Sequence, residues 1–273
     1  MSDLYNSFYG FSESPFNITP DPRFLFFSDK HREAFNHLIF GVTQRKGFIQ
    51  ITGEVGSGKT TLCRCMLERL GPNFRTALIL NPCLSPSQLL RAVLKEFGLE
   101  PKREDRVTCL EQLNEFLLDQ VAQGNDVVLI IDEAQDLTKE LLEQVRLLSN
   151  LETDQRKLLQ IVLIGQPELR DKLNDPALRQ LRQRITVRYH LDPLTRYEME
   201  FYIRHRIHAC GGNGVPSFNG SACRKIYRYT RGIPRLINAV CDKALLAGFV
   251  AGTDKLTGRH VGRAIRELEG HFA

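Results

Sequence analysis

Residues 53–60 read GEVGSGKT, three glycines followed by a lysine and a hydroxyl at fixed offsets. That pattern does phosphate chemistry. Gly53, Gly56 and Gly58 permit backbone angles that a side chain would forbid, so the N–H groups of Val55, Gly56, Ser57, Gly58, Lys59, Thr60 and Thr61 can turn inward on phosphate oxygens. Lys59 brings a cation to the β- and γ-phosphates, and Thr60 offers a hydroxyl to Mg2+. The N-terminus of the helix that follows favours the anion further. With Glu54 in the loop, 53–61 is the expected cradle for a nucleoside triphosphate. An apolar run at 47–52 and a helical stretch at 61–70 flank it, the strand-to-helix setting that a chance glycine-rich turn lacks.

A second group follows the apolar run 127–131, which ends in Asp132 and Glu133. A strand of this kind delivers both carboxylates to the edge of a sheet. Asp132 would hold Mg2+ through water, and Glu133 would polarise the water that attacks the γ-phosphate. An Asp-Glu pair can also simply cap the next helix. Gln166, after the run 159–164, could bond the γ-phosphate or the attacking water, or be a plain loop amide. The stretch LRQLRQRI holds Arg179, Arg182 and Arg184 before a strand. An arginine from such a place can reach a neighbouring subunit's γ-phosphate and stabilise the transition state. Arg184 is the candidate and Arg182 the reserve; surface basicity is the alternative. Arg235 sits in the first turn of a helix opened by Gly232-Ile233-Pro234, where a cation is locally unfavourable unless an anion such as phosphate rewards it.

Positioning these groups requires a sheet. Strand-like runs recur at 47–52, 76–80, 127–131, 159–164 and 186–190, separated by helical stretches at 60–70, 86–97, 106–121 and 139–149. Ser85 with Pro86, and Thr138, are start signals for two of them. This alternation predicts a P-loop NTPase α/β core, a parallel sheet with helices on both faces and its ligand at the carboxyl ends of the strands. Beyond Asp192-Pro193-Leu194 only helices are expected, at 196–209, 221–229, 234–249 and 257–269. The organisation read from the chain is an arm over 1–46 contributing to the nucleotide pocket, a core over 47–194 and an all-helical lid over 195–273, with nucleotide between core and lid. Phe16 and the region of His31 are candidate walls of a base pocket.

The 273 residues suit a core plus a smaller domain. No run approaches the roughly 20 apolar residues of a membrane helix, and the first residues lack a signal-peptide pattern, so a cytoplasmic protein is expected. Seven cysteines without a CxxC pair read as reduced, mostly buried thiols. The net charge of +5 is uneven: from Arg179 onward there are 17 Lys and Arg against 7 Asp and Glu. A nucleic-acid surface, an anionic membrane surface, arginines committed to phosphates and subunit interfaces, or a solvated helix face would each account for it.

Taken together, GEVGSGKT, LIIDEAQ, the LRQRI arginines before HLDPL, and GIPR resemble the AAA+ ATPases over nearly the whole chain. The arm is more specific. Phe8-Tyr9-Gly10-Phe11, Ser14-Pro15-Phe16, Thr19-Pro20-Asp21-Pro22-Arg23-Phe24 and His31-Arg32-Glu33-Ala34 resemble the N-terminal signature of the ExeA/GspA family of general secretion pathway ATPases. The resemblance implies ATP and Mg2+ as ligands, Lys59 and Thr60 as the phosphate-loop pair, Asp132 and Glu133 as the Walker B carboxylates, Gln166 at the sensor-1 position, Arg235 as sensor 2, and a finger where Arg184 stands.

It also implies a homo-oligomer, a ring or a dimer, that couples ATP hydrolysis to assembly of the type II secretin with an inner-membrane partner protein and peptidoglycan. Longer members continue into a membrane helix and a periplasmic peptidoglycan-binding domain. This sequence matches the ATPase part, and the expectation is either a soluble cytoplasmic fragment that is recruited to the inner membrane or a short relative with a different client. Similar ATPase domains occur in transposition regulators that form filaments on DNA. The basic C-terminal third keeps that alternative in view.

Overall fold

The computed structural model describes residues 5–19, 21–152, 157–212 and 214–270. Its chain separates into two compact units, one of Met1–His31, Glu54–Thr61 and Asp192–Ala273, the other of Arg32–Gly53 and Leu62–Leu191.

The second unit is built on five strands, β1 (Phe48–Gly53), β2 (Phe74–Ile79), β3 (Asp126–Ile131), β4 (Leu159–Gly165) and β5 (Ile185–Leu191). They pair in the order β2-β3-β4-β1-β5, every pair parallel. Residues 127–131 of β3 and every residue of β1 and β4 are buried. This explains the unbroken apolar runs: a parallel strand covered on both faces has no wet side to alternate with. Register brings Thr52 of β1 opposite Gly165 of β4, and Ile131 of β3 opposite Leu163. The carboxyl ends of these three strands therefore share one edge, and Asp132, Glu133 and Gln166 emerge there.

Helices Pro86–Glu96, Arg106–Ala122 and Lys139–Leu148 cover the sheet with Leu89, Leu113, Leu142 and Val145, all fully buried. Each such side chain contributes about 1.5–3 kcal/mol of apolar burial. Ser85 starts the first with a reciprocal capping box to Gln88, and Thr138 caps the third. Two short helices that the apolar pattern does not signal, Pro167–Leu173 and Arg179–Arg184, follow β4 and lead to β5.

The first unit contains the four expected helices, Arg196–Ala209, Gly220–Thr230, Pro234–Val250 and Gly258–Leu268. A two-residue parallel pair, β6 (Ser217–Phe218) and β7 (Lys255–Leu256), is added to them. So short a pair leaves no periodicity to read. The arm as far as His31 belongs to this unit, and the rest of 1–46 to the other: Tyr5, Tyr9, Phe11, Phe16 and Phe24 are buried with Tyr202, Ile226 and Leu245. Arg206, 5% exposed, ties the arm down by donating to the Pro15 and Asn17 carbonyls while its guanidinium lies 4.3 Å from the Phe24 ring centre. A buried cation persists only with such partners.

Candidate nucleotide-binding site

The glycine-rich loop leaves β1 with Gly56 at φ +76° and Gly58 at φ +101°, the left-handed angles its composition requires. Three of its carbonyls are taken, one from within the loop and two from outside it. Glu54 O accepts from Ser57 N at 3.1 Å and from Lys59 Nζ at 2.9 Å, Gly56 O accepts from Arg235 N at 3.2 Å, and Ser57 O accepts from His31 Nε2 at 3.1 Å. Because carbonyl and N–H of a trans peptide point in opposite directions, the bond to Ser57 O aims the Gly58 N–H toward the other side of the loop, while the Ser57 N–H is held by Glu54 O. Ser57 Oγ is buried and makes no hydrogen bond among the described residues. A buried hydroxyl left over in a loop of fixed amides, beside a buried lysine, is a donor set that suits phosphate oxygens.

Arg235 meets this loop through its backbone. The helix Pro234–Val250 has no side-chain cap, and Gly56 O takes one of its orphan N–H groups. The approach is so close that a Cβ on Gly56 would overlap the Arg235 Cβ. The Arg235 side chain is exposed and has no ion pair among the described residues. Gly232, at φ +83°, packs on the Leu194 backbone and accepts its N–H at 3.0 Å, fixing the start of this helix.

At the sheet edge Asp132 is 3% exposed and accepts the Glu133 N–H on Oδ1 at 2.9 Å. Glu133 adopts φ +51°, the turn that swings its carboxylate out of strand alternation. Its Oε2 accepts from the side-chain amides of Gln135 at 2.8 Å and Gln166 at 3.2 Å, and Gln135 Oε1 in turn accepts the Gln166 N–H at 3.0 Å. The structure thus brings Glu133 and Gln166 together and adds Gln135, which sequence reasoning passed over although it stands in LIIDEAQ. Among the described residues no three His, Cys, Asp or Glu side chains form a metal cage. A Mg2+ that keeps its waters and phosphate ligands needs none.

The arginines differ. Arg184 Nη1 donates to Arg146 O at 3.2 Å, Ser149 Oγ at 2.6 Å and Asn150 Oδ1 at 2.5 Å, closing the end of the helix Lys139–Leu148. Arg182 lines a cavity of about 350 Å3 with Arg170, Arg188 and Thr52, and its side-chain bond among the described residues, to Asn174 Oδ1, is long at 3.4 Å. Phe16 is buried in the arm's own core, edge-on to Phe218. The ring of His31 is engaged with the loop.

Residues 42–173 match the family model of an AAA domain. The chain is 45% identical over 98% of its length to general secretion pathway protein A of Aeromonas hydrophila, covering 49% of that protein. It carries an AAA domain and is related to general secretion pathway protein A. The resemblance carried by the loop, the carboxylates and the arm holds across the described fold, although the chain spans about half the length of this curated relative. Solved structures agree on the architecture. Cdc6p of Pyrobaculum aerophilum superposes on this chain with a TM-score of 0.68 at 18% identity, over 96% of this chain and 70% of that one. The Aeropyrum pernix ORC2 protein, solved as ADPNP-ADP complexes, gives 0.64 at 16% over 88% and 67%. At such identities these likenesses establish the P-loop AAA-type fold alone.

No helix among the described residues is long and apolar enough to cross a membrane. Of the seven cysteines, all free, Cys83 is exposed, Cys65 half-buried and the rest buried.

Proposed function

We propose that this chain hydrolyses ATP with Mg2+ and, as an oligomer, uses the turnover to drive assembly of a secretion-system envelope complex. The observation that carries the hydrolytic part is the Glu133 carboxylate, turned out after a buried strand and oriented by two amides. A binding module that only held nucleotide would have no use for an acceptor so placed. In this reading the loop amides, Lys59 and Arg235 bind the phosphates, Glu133 accepts a hydrogen bond from the attacking water as its general base, and Gln166 orients Glu133 and that water. Thr60 and Asp132 would hold Mg2+, which would supply charge neutralisation at the phosphate oxygens.

A trans-acting arginine from the 182–184 segment completes the site of a neighbouring subunit. The surroundings favour Arg182 over Arg184, since Arg184 already holds a helix end. Similarity to general secretion pathway protein A supports the secretion client. The test is the ATPase rate across protein concentration, with and without duplex DNA at two salt concentrations. Release of phosphate that needs Mg2+, rises with protein concentration and ignores DNA is expected; strong, salt-sensitive stimulation by DNA would replace the secretion reading with a nucleic-acid one.

A further inference from the structure

The donor to Ser57 O is a side chain from outside the loop. A carbonyl only accepts, so His31 Nε2 carries the hydrogen, and Nδ1 is then the acceptor for the Ser28 hydroxyl at 2.7 Å. Ser28 Oγ also accepts the His31 N–H at 3.3 Å, which pins ring and serine to the same helix start. The ring is 3% exposed, so water is poorly placed to substitute for this bond. Gly58 makes room for it: a Cβ there would lie 3.2 Å from His31 Nε2. Ser57 O bonded outward means the Gly58 N–H points inward across the same rigid peptide.

We propose that His31 is a positioning residue for phosphate binding, its Nε2–H holding the Ser57 carbonyl so that the Gly58 N–H faces the phosphates, with Ser28 selecting the required tautomer. This rests on reading the loop as a nucleotide site. The group served is the polyphosphate, whatever base is attached. His31→Phe keeps a ring without the donor; His31→Gln puts an amide donor within reach of the same carbonyl; Ser28→Ala removes the tautomer's anchor.

The experiment is titration calorimetry of each folded variant with ATP and with inorganic tripolyphosphate, followed by ATPase kinetics. His31→Phe should weaken both ligands by roughly tenfold, the effect of one lost hydrogen bond, raising KM more than it lowers kcat. His31→Gln should recover most of the loss, and Ser28→Ala should weaken both ligands several-fold. Equal loss in His31→Phe and His31→Gln would reduce the residue to packing and overturn the proposal. So would a loss confined to ATP, which would make His31 a wall of the base pocket. If His31→Phe does not fold, wild-type affinity in Ser28→Ala overturns it instead. Wild-type protein that binds neither ligand would defeat the nucleotide reading itself, a result separate from any difference among variants.

Discussion

The side-chain amide of Gln166 donates to Glu133 Oε2 at 3.2 Å, the same oxygen that takes the Gln135 amide at 2.8 Å. Two donors on one oxygen leave the other oxygen of the carboxylate to meet water. Glu133→Gln is therefore expected to bind ATP as the wild type does and to lose on the order of 100-fold or more in kcat, the scale of a missing general base. Gln166→Ala should lower kcat by about tenfold with KM nearly unchanged, since an orienting amide acts on the reacting geometry. Steady-state kinetics beside a binding titration separates these effects. Full turnover by Glu133→Gln would refute the assigned role.

Lys59 is buried with its ammonium on the Glu54 carbonyl. Its alanine variant should bind no ATP detectable by equilibrium dialysis, because the cation opposite the β/γ oxygens is gone. Tight residual binding would show that the loop amides suffice.

Gly56 serves two purposes, a left-handed turn and the close approach of Arg235. Gly56→Ala should therefore lower the melting temperature and weaken nucleotide together. Gly10→Ala is the control: φ is +73° but nothing lies within 4 Å of the added methyl, leaving about 1–2 kcal/mol of backbone strain. Equal shifts in the two variants would remove the steric argument.

Arg184 and Arg182 should part company. Arg184→Ala removes the donor to Ser149 Oγ and Asn150 Oδ1, although the Arg146 carbonyl keeps the Ser149 N–H and hydroxyl, and should cost about 1–3 kcal/mol in urea unfolding. Arg182→Ala should leave stability unchanged and abolish the rise of specific activity with protein concentration. Retention of that rise in Arg182→Ala, and its loss in Arg184→Ala, would return the finger to Arg184.

Burial lowers the proton affinity of His31 and of His205. In the unfolded chain both titrate near 6.5, so below that pH the unfolded state takes up protons that the folded state declines. Stability is then complete above about pH 6.5 and falls as the pH drops toward the folded-state values. The urea midpoint measured from pH 8 to pH 5 should decline below 6.5, with a shallower slope in His31→Gln. Asp21, Glu143 and Asp175, held low chiefly by hydrogen bonds from Arg23, Arg146 and Lys139, lose their stabilisation only at more acidic pH.

Much of this was legible beforehand, for identifiable reasons. The strands showed because burial on both faces leaves runs such as Val127 to Ile131 uninterrupted, and the loop showed because Gly56 and Gly58 occupy angles that few residues tolerate. Helix starts at Ser85 and Thr138 were marked by residues whose side chains cap them. What stayed hidden depends on the third dimension. His31 is 26 positions from the Ser57 carbonyl it holds, and Gln135 meets Gln166 across 31 positions. Neither pairing has a periodicity. Arg184 and Arg182 look alike in the chain, yet one closes a helix and the other faces a cavity.

The burial of Tyr5, Tyr9, Phe11, Phe16 and Phe24 among the C-terminal helices bears on how this protein can be shortened. A version trimmed to begin where the AAA match begins, at residue 42, would keep every Walker residue. It would also uncover an oily surface, leave Arg206 a buried charge without the carbonyls of Pro15 and Asn17, and delete His31. Insolubility of such a trimmed protein would then say nothing against its catalytic groups; it would report the missing aromatic plug.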